Sequence, residues 1–311
     1  MTRPRIVVIG SSNTDLIVKA DRIPSAGETV LGTSLSTAAG GKGANQAVAA
    51  ARLGADVTLV ARIGRDAFGD AALAALAREG VRTDFVVRDD DAPSGVALIV
   101  VDGRGENAIA VAPGANARLS EENVRRARER IVAADALLLQ LEVPLETVEY
   151  AARLAADGRA RVILNPAPAR PLSRELLAVL TVLTPNRTES ETLAGMLVTD
   201  ADSADRAAQA LCEKGVANVV VTLGAAGAVF AGALGVGRVP GVRVTPVDTT
   251  AAGDAFNGAL AVALARGESL VDAARFASLA GALTVTRAGA QPSLPSIEEV
   301  NALARNGALR Q

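Results

Sequence analysis

Short apolar runs alternate along the chain with longer stretches whose apolar positions recur every three to four residues. The short runs are rich in β-branched residues and predict strands: "RIVVIG", "VTLVARIG", "ADALLLQLE", "ARVILNP", "AVLTVLTPN" and "ANVVVTLG". The longer stretches predict helices, and they include "GANQAVAAARLG", "DAFGDAALAALAREG", "SEENVRRARERIVAA", "LETVEYAARLAADG" and "SADRAAQALCEKG". This alternation predicts an α/β fold with a doubly wound, mostly parallel sheet and helices on both faces. Ligands of such sheets bind at the carboxyl ends of the strands.

Two segments interrupt the alternation and lack helices of their own. Residues 26–38 show no helical periodicity, and residues 94–114 predict two strands joined around "DGRG". They predict a small antiparallel β-lid made of residues 13–38 and 94–111. The α/β domain would then comprise residues 1–12, 39–93 and 112–311. Such a lid could close over a substrate and exclude water, although an edge extension without a catalytic part is the alternative.

Composition excludes several classes of function. The 311 residues carry a net charge of −2, few aromatic residues and no histidine. Nucleic acid and anionic membranes are therefore not expected partners, and acid–base chemistry must fall to Asp, Glu, Lys or Tyr. The start of the chain lacks a signal-peptide pattern, and no apolar stretch reaches membrane-spanning length. The single cysteine, Cys212, is expected to be a buried thiol, which fits a reducing cytoplasm.

A glycine-rich turn precedes the first predicted helix in "AAGGKGANQ". Its bare backbone would let a ligand approach closely, with Lys42 and Asn45 pointing polar groups at it. It matches neither a P-loop nor a dinucleotide fingerprint, because the spacing differs and no clear strand pattern precedes it. A flexible turn that starts a helix is the alternative. In "GSSNTDLIV", Asn13 and Asp15 follow the first strand and suit a polyol, unless they form only an Asx turn.

Three later strands end in polar residues. Glu142 follows a buried strand and is either a hydroxyl acceptor or a charge at a helix entry. Asn186 and Glu189 suit the water shell of a phosphate-bound Mg²⁺, and a capping box with Asn186 as the cap is the alternative. The turn from Thr222 through residues 224–227 predicts either a plain hairpin or a slot for a flat base.

The segment "DTTAAGDAFNGAL" places one carboxylate behind a turn of small residues. Asp254 serves as a helix N-cap in the simplest interpretation. That interpretation leaves the bare turn of Ala251, Ala252 and Gly253 unexplained. A helix N-terminus with no side chains in front of it can take a phosphate on its free N–H groups.

Both glycine-containing signatures resemble those of the PfkB-type carbohydrate kinases: "GGKGANQAVAAARLGA" and "DTTAAGDAFNGAL". Further segments in matching order extend the resemblance over essentially the whole chain, among them "GSSNTDLIV", "LLLQLEVPLE", "LNPAPAR", "TPNRTE", "VTLGAAG" and "VTRAGAQPSLP". The resemblance implies the α/β domain with a β-lid and a homodimer that pairs the lids. It also implies phosphorylation of the 5-hydroxyl of D-ribose by ATP, with Mg²⁺ as the ATP-bound metal and K⁺ as an activating ion.

Site residues follow from the resemblance position by position. The sugar site would consist of Asn13, Asp15, Gly41, Lys42, Asn45 and Glu142, together with Asp254 as the general base. The anion hole would be Ala251, Ala252 and Gly253. ATP would lie along Asn186, Thr222, Gly224, Gly227, Gly253 and Ser278, with Glu189 reaching Mg²⁺ through water. The K⁺ loops would contain Asp248, Thr250, Thr284, Arg287, Gly289 and Ser293.

Two other classes of protein remain as alternatives. A non-catalytic sugar sensor would keep the sugar site and lose the base or the anion hole, and both are present here. A dinucleotide oxidoreductase would need a GxGxxG motif after the first strand, which "GSSNTD" lacks. Among kinases, 2-deoxyribose, fructose and nucleosides remain alternative acceptors.

Overall fold

The computed structural model describes residues 3–305 and contains a nine-stranded main sheet. Its strands are β1 (Arg5–Ile9), β4 (Asp56–Gly64), β5 (Arg82–Asp89), β8 (Ala136–Leu139), β9 (Arg161–Leu164), β10 (Val182–Leu183), β11 (Asn218–Thr222), β12 (Ala228–Gly232) and β13 (Gly235–Val239). Their order is β13-β12-β11-β10-β9-β8-β1-β4-β5. The strands from β11 to β5 are parallel, and β12 and β13 add an antiparallel hairpin at one edge.

Helices cover both faces of this sheet, as predicted. They are α1 (Lys42–Arg52), α2 (Ala67–Arg78), α3 (Glu121–Arg126), α4 (Arg128–Val132), α5 (Leu145–Ala156), α6 (Arg174–Val179), α7 (Arg187–Ala194), α8 (Ala201–Glu213), α9 (Ala252–Ala265), α10 (Leu270–Thr284) and α11 (Ile297–Arg305). Strand β1 shows how the core is divided. Ile6 and Val8 pack in the cluster that contains α1, α9 and α10, whereas Val7 and Ile9 pack in the cluster of α5 and α8. Alternating side chains of one strand therefore feed two hydrophobic layers.

Several predicted boundaries were wrong. The expected helix over residues 120–134 breaks at Ala127 into α3 and α4. The expected strand over residues 178–186 is only two residues long, because Ser173 caps α6 and the helix continues to Val179. Cys212 is half-buried rather than buried. No helix within residues 3–305 is long and apolar enough to cross a membrane.

A second sheet forms the lid. It contains β2 (Asn13–Ala20), β3 (Gly32–Gly40), β6 (Gly95–Val101) and β7 (Asn107–Ala112), in the order β3-β2-β6-β7. The pairs β2–β3 and β6–β7 are antiparallel, but the central pair β2–β6 is parallel. The reason is topological. Strand β2 follows β1 and β6 follows β5, so both leave the main sheet at its carboxyl edge and run in the same direction. Strand β3 also enters α1 through Gly41 alone, so the expectation that no strand precedes the glycine-rich turn was wrong.

Candidate active site

A cavity of about 210 Å³ opens at the carboxyl ends of β9, β10 and β11. Its lining combines residues that lie far apart in sequence: Lys42, Asn165, Ala167, Thr184, Asn186, Glu189, Thr222, Thr249, Ala251, Gly253, Asp254 and Asn257. The lid joins the main sheet beside this cavity. The fold thus brings the glycine-rich turn, the polar strand ends and the small-residue turn before α9 into one site.

The first turn of α9 is open to the cavity. Ala251 precedes the helix at φ 60° and is the only non-glycine residue with positive φ within residues 3–305. Such a conformation costs an alanine on the order of 1 kcal/mol. Ala252 donates its N–H to the carbonyl of Thr249 at 3.3 Å, but no group in the described chain accepts from the N–H of Gly253 or Asp254. A Cβ at Gly253 would meet nothing within 4 Å, so there is free space beside this turn.

Asp254 lies just behind this turn and is buried, with 6% of its surface exposed. Its carboxylate accepts from Asn45 Nδ2 at 2.9 Å and from Gln46 Nε2 at 3.1 Å. Burial raises the pKa of Asp254, and Lys42 and the two amide donors oppose that shift. A buried carboxylate whose pKa is moved towards neutrality, beside open helix N–H groups, has the character of a general base.

The lid contributes Asn13 and Asp15, two residues of the predicted sugar site. Asn13 Oδ1 accepts from Asn116 Nδ2 at 2.7 Å, and Asn116 also binds the backbone of Ser12. Asp15 is buried without a donor among residues 3–305, and burial, with the charges of Glu142 and Asp254, raises its pKa to about 6. Above that pH Asp15 is mostly an ionised acceptor that still lacks a partner. A polyhydroxyl ligand would supply the missing donor.

Glu142 and the start of α1 contain the other residues of the predicted sugar site. Glu142 Oε2 accepts from Ser11 Oγ and from the backbone N–H of Lys42, the latter at 3.1 Å. Gly41 has φ 88°, and a Cβ there would lie 2.6 Å from the backbone nitrogen of Asn13. Glycine therefore permits the close contact between α1 and β2 that places Asn45 beside Asp254.

Lys42 is the first residue of α1 and lines the cavity. Burial alone would lower the pKa of Lys42, but the charges of Asp254, Glu142 and Glu189 outweigh it and the pKa is raised. The ammonium therefore stays charged at neutral pH. A fixed cation among carboxylates is suited to an anionic ligand such as a phosphate.

The residues predicted to bind a nucleotide include several at the ends of β10 and β11. Asn186 and Glu189 form the capping box at the start of α7, with the Glu189 N–H donating to Asn186 Oδ1 at 2.9 Å. Both also line the cavity, so the capping role leaves them beside the space where a ligand could bind. After Thr222 the chain turns through Gly224 and a single 3₁₀ turn into an antiparallel hairpin, so a hairpin is present at this position.

Gly227 and Ser278, both predicted to bind the nucleotide, lie in different parts of the structure. Gly227 has φ 92°, and a Cβ there would collide with the Val239 carbonyl, so this turn requires glycine. Ser278 lies on α10, and its hydroxyl donates to the Ala274 carbonyl of the same helix at 2.8 Å. It is not among the residues that line the cavity.

The predicted cation loops meet at Asp248. Its Oδ1 accepts from the N–H and hydroxyl of Thr250, and its Oδ2 accepts from the Gly289 N–H at 2.8 Å. Burial would raise the pKa of Asp248, but these donors outweigh it and hold the pKa low. The alternative in which Asp248 binds its own turn is thus present. Thr284 and Ser293 donate to carbonyls of their own turns, and the Arg287 guanidinium pairs with Glu299.

Metal-binding clusters do not stand out. Within residues 3–305 no group of three or more His, Cys, Asp or Glu side chains could hold a metal ion. A divalent ion at this site would therefore depend on oxygens that a ligand supplies. Mg²⁺ suits such a site, because it keeps much of its water and binds through few carboxylates.

Sequence reasoning missed four buried amide residues that connect the site: Gln46, Asn116, Asn165 and Asn257. Asn165 accepts from Gln46 and donates to the Thr184 carbonyl, and Asn257 joins the Thr184 hydroxyl to the Gly253 carbonyl. A signal was available for Asn165 and Thr184, since each directly follows an apolar strand. Gln46 adjoins Asn45 within the glycine-rich motif.

Comparisons with known proteins agree with this geometry. The family model described as pfkB family carbohydrate kinase matches residues 3–297. The chain is 45% identical to a ribokinase of Haemophilus influenzae, over 96% of this chain and 97% of the relative, and 40% identical to a deoxyribokinase of Salmonella typhi, over 95% and 97%. A solved ribokinase of Arabidopsis thaliana, complexed with ribose and ATP, is 34% identical with a TM-score of 0.89, covering 97% of this chain and 99% of that one. The chain belongs to the pfkB family of carbohydrate kinases.

Proposed function

We propose that this protein transfers the terminal phosphoryl group of ATP to the 5-hydroxyl of D-ribose. The observation that carries the proposal is the pairing of the buried Asp254 carboxylate with the unoccupied N–H groups at the start of α9. The ribokinase relatives support ribose as the acceptor and ATP as the donor. A non-catalytic sugar-binding protein would have no use for this pairing.

Phosphoryl transfer needs positioning and charge stabilisation more than covalent chemistry. ATP would lie along Asn186, Thr222, Gly224 and Gly227, and Ser278 would lie near its base. The N–H groups of the Ala251–Gly253 turn would then hold the charge that develops on the transferring group, as the positive end of a helix does. Asp254 would take the proton from the hydroxyl as it attacks.

Mg²⁺ bound to the ATP phosphates would neutralise part of their charge. Glu189 would reach that ion through water, since both of its oxygens already accept from Asn186. Lys42 would supply a second positive charge on the same side of the cavity. Glu142 would keep Lys42 and Ser11 in place on the sugar side.

Ribose should be preferred to 2-deoxyribose as the acceptor. Asp15 and the unpartnered Oδ1 of Asn45 are buried acceptors on the sugar side, and a missing hydroxyl would leave one of them unpaired. That penalty is about 1–3 kcal/mol, which corresponds to about 5- to 150-fold in kcat/KM. A panel of ribose, 2-deoxyribose, fructose and a nucleoside, assayed with ATP and Mg²⁺, measures it. Equal kcat/KM for ribose and 2-deoxyribose would contradict this assignment and favour the function of the deoxyribokinase relative.

We further propose that K⁺ activates the enzyme by binding the loops around Asp248. The ion would be coordinated by oxygens of Asp248, Thr250, Thr284, Arg287, Gly289 and Ser293, mostly backbone carbonyls. An ionised carboxylate with several carbonyls suits a large, weakly hydrated cation. Because Asp248 lies six residues before Asp254, the ion would order the turn that leads into α9.

Activity should therefore rise with KCl and much less with NaCl at matched ionic strength. Asp248→Ala should remove the difference between the two salts, whereas Asp272→Ala, an exposed acid at the start of α10, should keep it. Thermal denaturation of the free protein provides a readout besides turnover, and K⁺ should raise Tm only when Asp248 is present. A loss of activity in Asp248→Ala that is equal in both salts would mean that Asp248 only stabilises its own turn.

The lid is also proposed as the interface of a homodimer. It exposes large apolar side chains at Leu35 and Leu98 on one face and at Ile109 and Val111 on the other. Asp15 shares its face with Ile109 and Val111, so one face would cover the sugar while the other packs on a second copy.

The single cysteine supports the cytoplasm as the place of the reaction.

A further inference from the structure

A chain of buried amides is hydrogen-bonded to the Asp254 carboxylate. Gln46 Nε2 donates to Asp254 Oδ1 at 3.1 Å, and Gln46 Oε1 accepts from Gln140 Nε2 at 2.7 Å. Both glutamines are 0% exposed. Gln46 lies on α1 and Gln140 directly follows β8, so the chain links the base to the centre of the main sheet.

The direction of every hydrogen bond in this chain is set by Asp254. An ionised carboxylate can only accept, so Gln46 must turn its NH₂ group towards Asp254. The second hydrogen of that NH₂ group goes to Asn165 Oδ1 at 3.2 Å. The Gln46 carbonyl must then face Gln140, which in turn has to present its own NH₂ group.

The far end of the chain is left unsatisfied. Gln140 Oε1 is buried and finds no donor within residues 3–305. It lies against the backbone of Gly10, where an added Cβ would be only 1.9 Å away. A buried acceptor without a partner costs free energy, so core packing alone would not select this orientation. The requirement comes from the carboxylate at the other end.

We propose that Gln46 is a positioning residue for Asp254 and that Gln140 fixes the orientation of the Gln46 amide. The proposal rests on the proposed function, in which Asp254 is the general base. Gln46 would hold one carboxylate oxygen in place, so that the remaining lone pairs face the sugar hydroxyl. Neither glutamine would touch sugar or nucleotide.

Several other charged groups face Asp254 and stay unchanged when the glutamines are replaced. They are Asp15 on β2, Lys42 on α1, Glu142 after β8 and Glu189 on α7. Burial raises the pKa of Asp254, and the Gln46 hydrogen bond works against that shift. Loss of the Gln46 donor should therefore raise the pKa further, and the base would be ionised only at higher pH.

The first variant is Gln46→Met, which keeps the length and removes the donor. We expect kcat to fall about 10- to 100-fold, as for a displaced catalytic group, with a smaller change in the KM for ribose. The acidic limb of the kcat profile should move to higher pH. Titration of the Asp254 carboxyl by NMR in the ligand-free protein should show the same shift without any turnover.

Gln140→Met is the second variant and keeps the test decisive if Gln46→Met does not fold. It should change kcat and the acidic limb in the same direction but by less, because Gln46 keeps its donor and loses only its orientation. The matched control is Thr147→Val on α5, away from Asp254. It removes a buried hydrogen bond from the Thr147 hydroxyl to the Leu119 carbonyl. It should leave both the pH profile and the titration unchanged.

Each outcome decides between the possibilities. If the glutamine variants titrate and turn over like wild type, or like Thr147→Val, the positioning role is wrong. If wild type does not phosphorylate ribose, the proposed function is wrong. The carboxyl titration still tests the link between Gln46 and Asp254 in that case.

Discussion

Replacement of the Asp254 carboxylate by an amide should stop phosphoryl transfer and leave ligand binding in place. Asp254→Asn removes the group that accepts the proton, and loss of a general base costs about 10²- to 10⁴-fold in kcat. The side chain keeps its size, so the cavity and its lining stay closed around sugar and nucleotide. Steady-state kinetics give kcat, and calorimetric titration with ribose and with an ATP analogue gives the two affinities.

An exposed acid at the start of α10 supplies the control for this variant. Asp272 is not among the residues that line the cavity, so Asp272→Asn should keep wild-type kcat. If Asp254→Asn turned over at a near-normal rate, Asp254 would not be the base. If the variant lost both affinities along with turnover, its role would be in binding rather than in proton transfer.

A single methyl group at Gly253 should have the second-largest effect. The backbone there is helical and an added Cβ meets nothing within 4 Å, so Gly253→Ala fits the fold and should raise stability by about 1 kcal/mol. The methyl group would occupy the space in which the transferring phosphate meets the N–H groups. Loss of such donors lowers the reaction rate about 10²- to 10³-fold, and we expect this decrease in kcat/KM for ATP.

The same substitution five residues further along α9 should behave in the opposite way. A Cβ at Gly258 would lie 2.7 Å from the Cβ of Ala49, so Gly258→Ala forces α9 and α1 apart. We expect a loss of about 1–3 kcal/mol and a lower Tm. Normal turnover of ATP by Gly253→Ala, at an undiminished Tm, would show that the phosphate does not approach this turn.

Much of the fold could be predicted because its signals are local. The buried strands β1, β4 and β8 are short apolar runs, and α1, α2 and α5 are periodic stretches with clear ends. The length of strand β10 was overestimated because the apolar run also contains the end of α6, and an apolar run is compatible with either structure. The parallel pairing of β2 with β6 was missed because it depends on where distant segments leave the main sheet.

The site divides in the same way. Asp254, Asn45 and Asp15 stand in motifs whose glycines and spacing mark them, and the structure brings all three to one place. The roles of Gln46 and Asn116 could not be predicted, although Gln46 adjoins Asn45 in the glycine-rich motif, because a buried amide gains its role only from partners over 100 residues away. Which of two hydrogen-bonding roles a polar residue fills is a tertiary property, as the Asn186 capping box shows.

The most direct test of the central claim is a crystal structure of the wild-type protein with D-ribose and a non-hydrolysable ATP analogue. The account predicts that the ribose 5-hydroxyl oxygen lies about 2.6–3.2 Å from an Asp254 carboxylate oxygen. It also predicts that the terminal phosphate accepts from the N–H of Gly253 at the start of α9. A different hydroxyl facing Asp254, or a terminal phosphate bound away from that helix start, would contradict it.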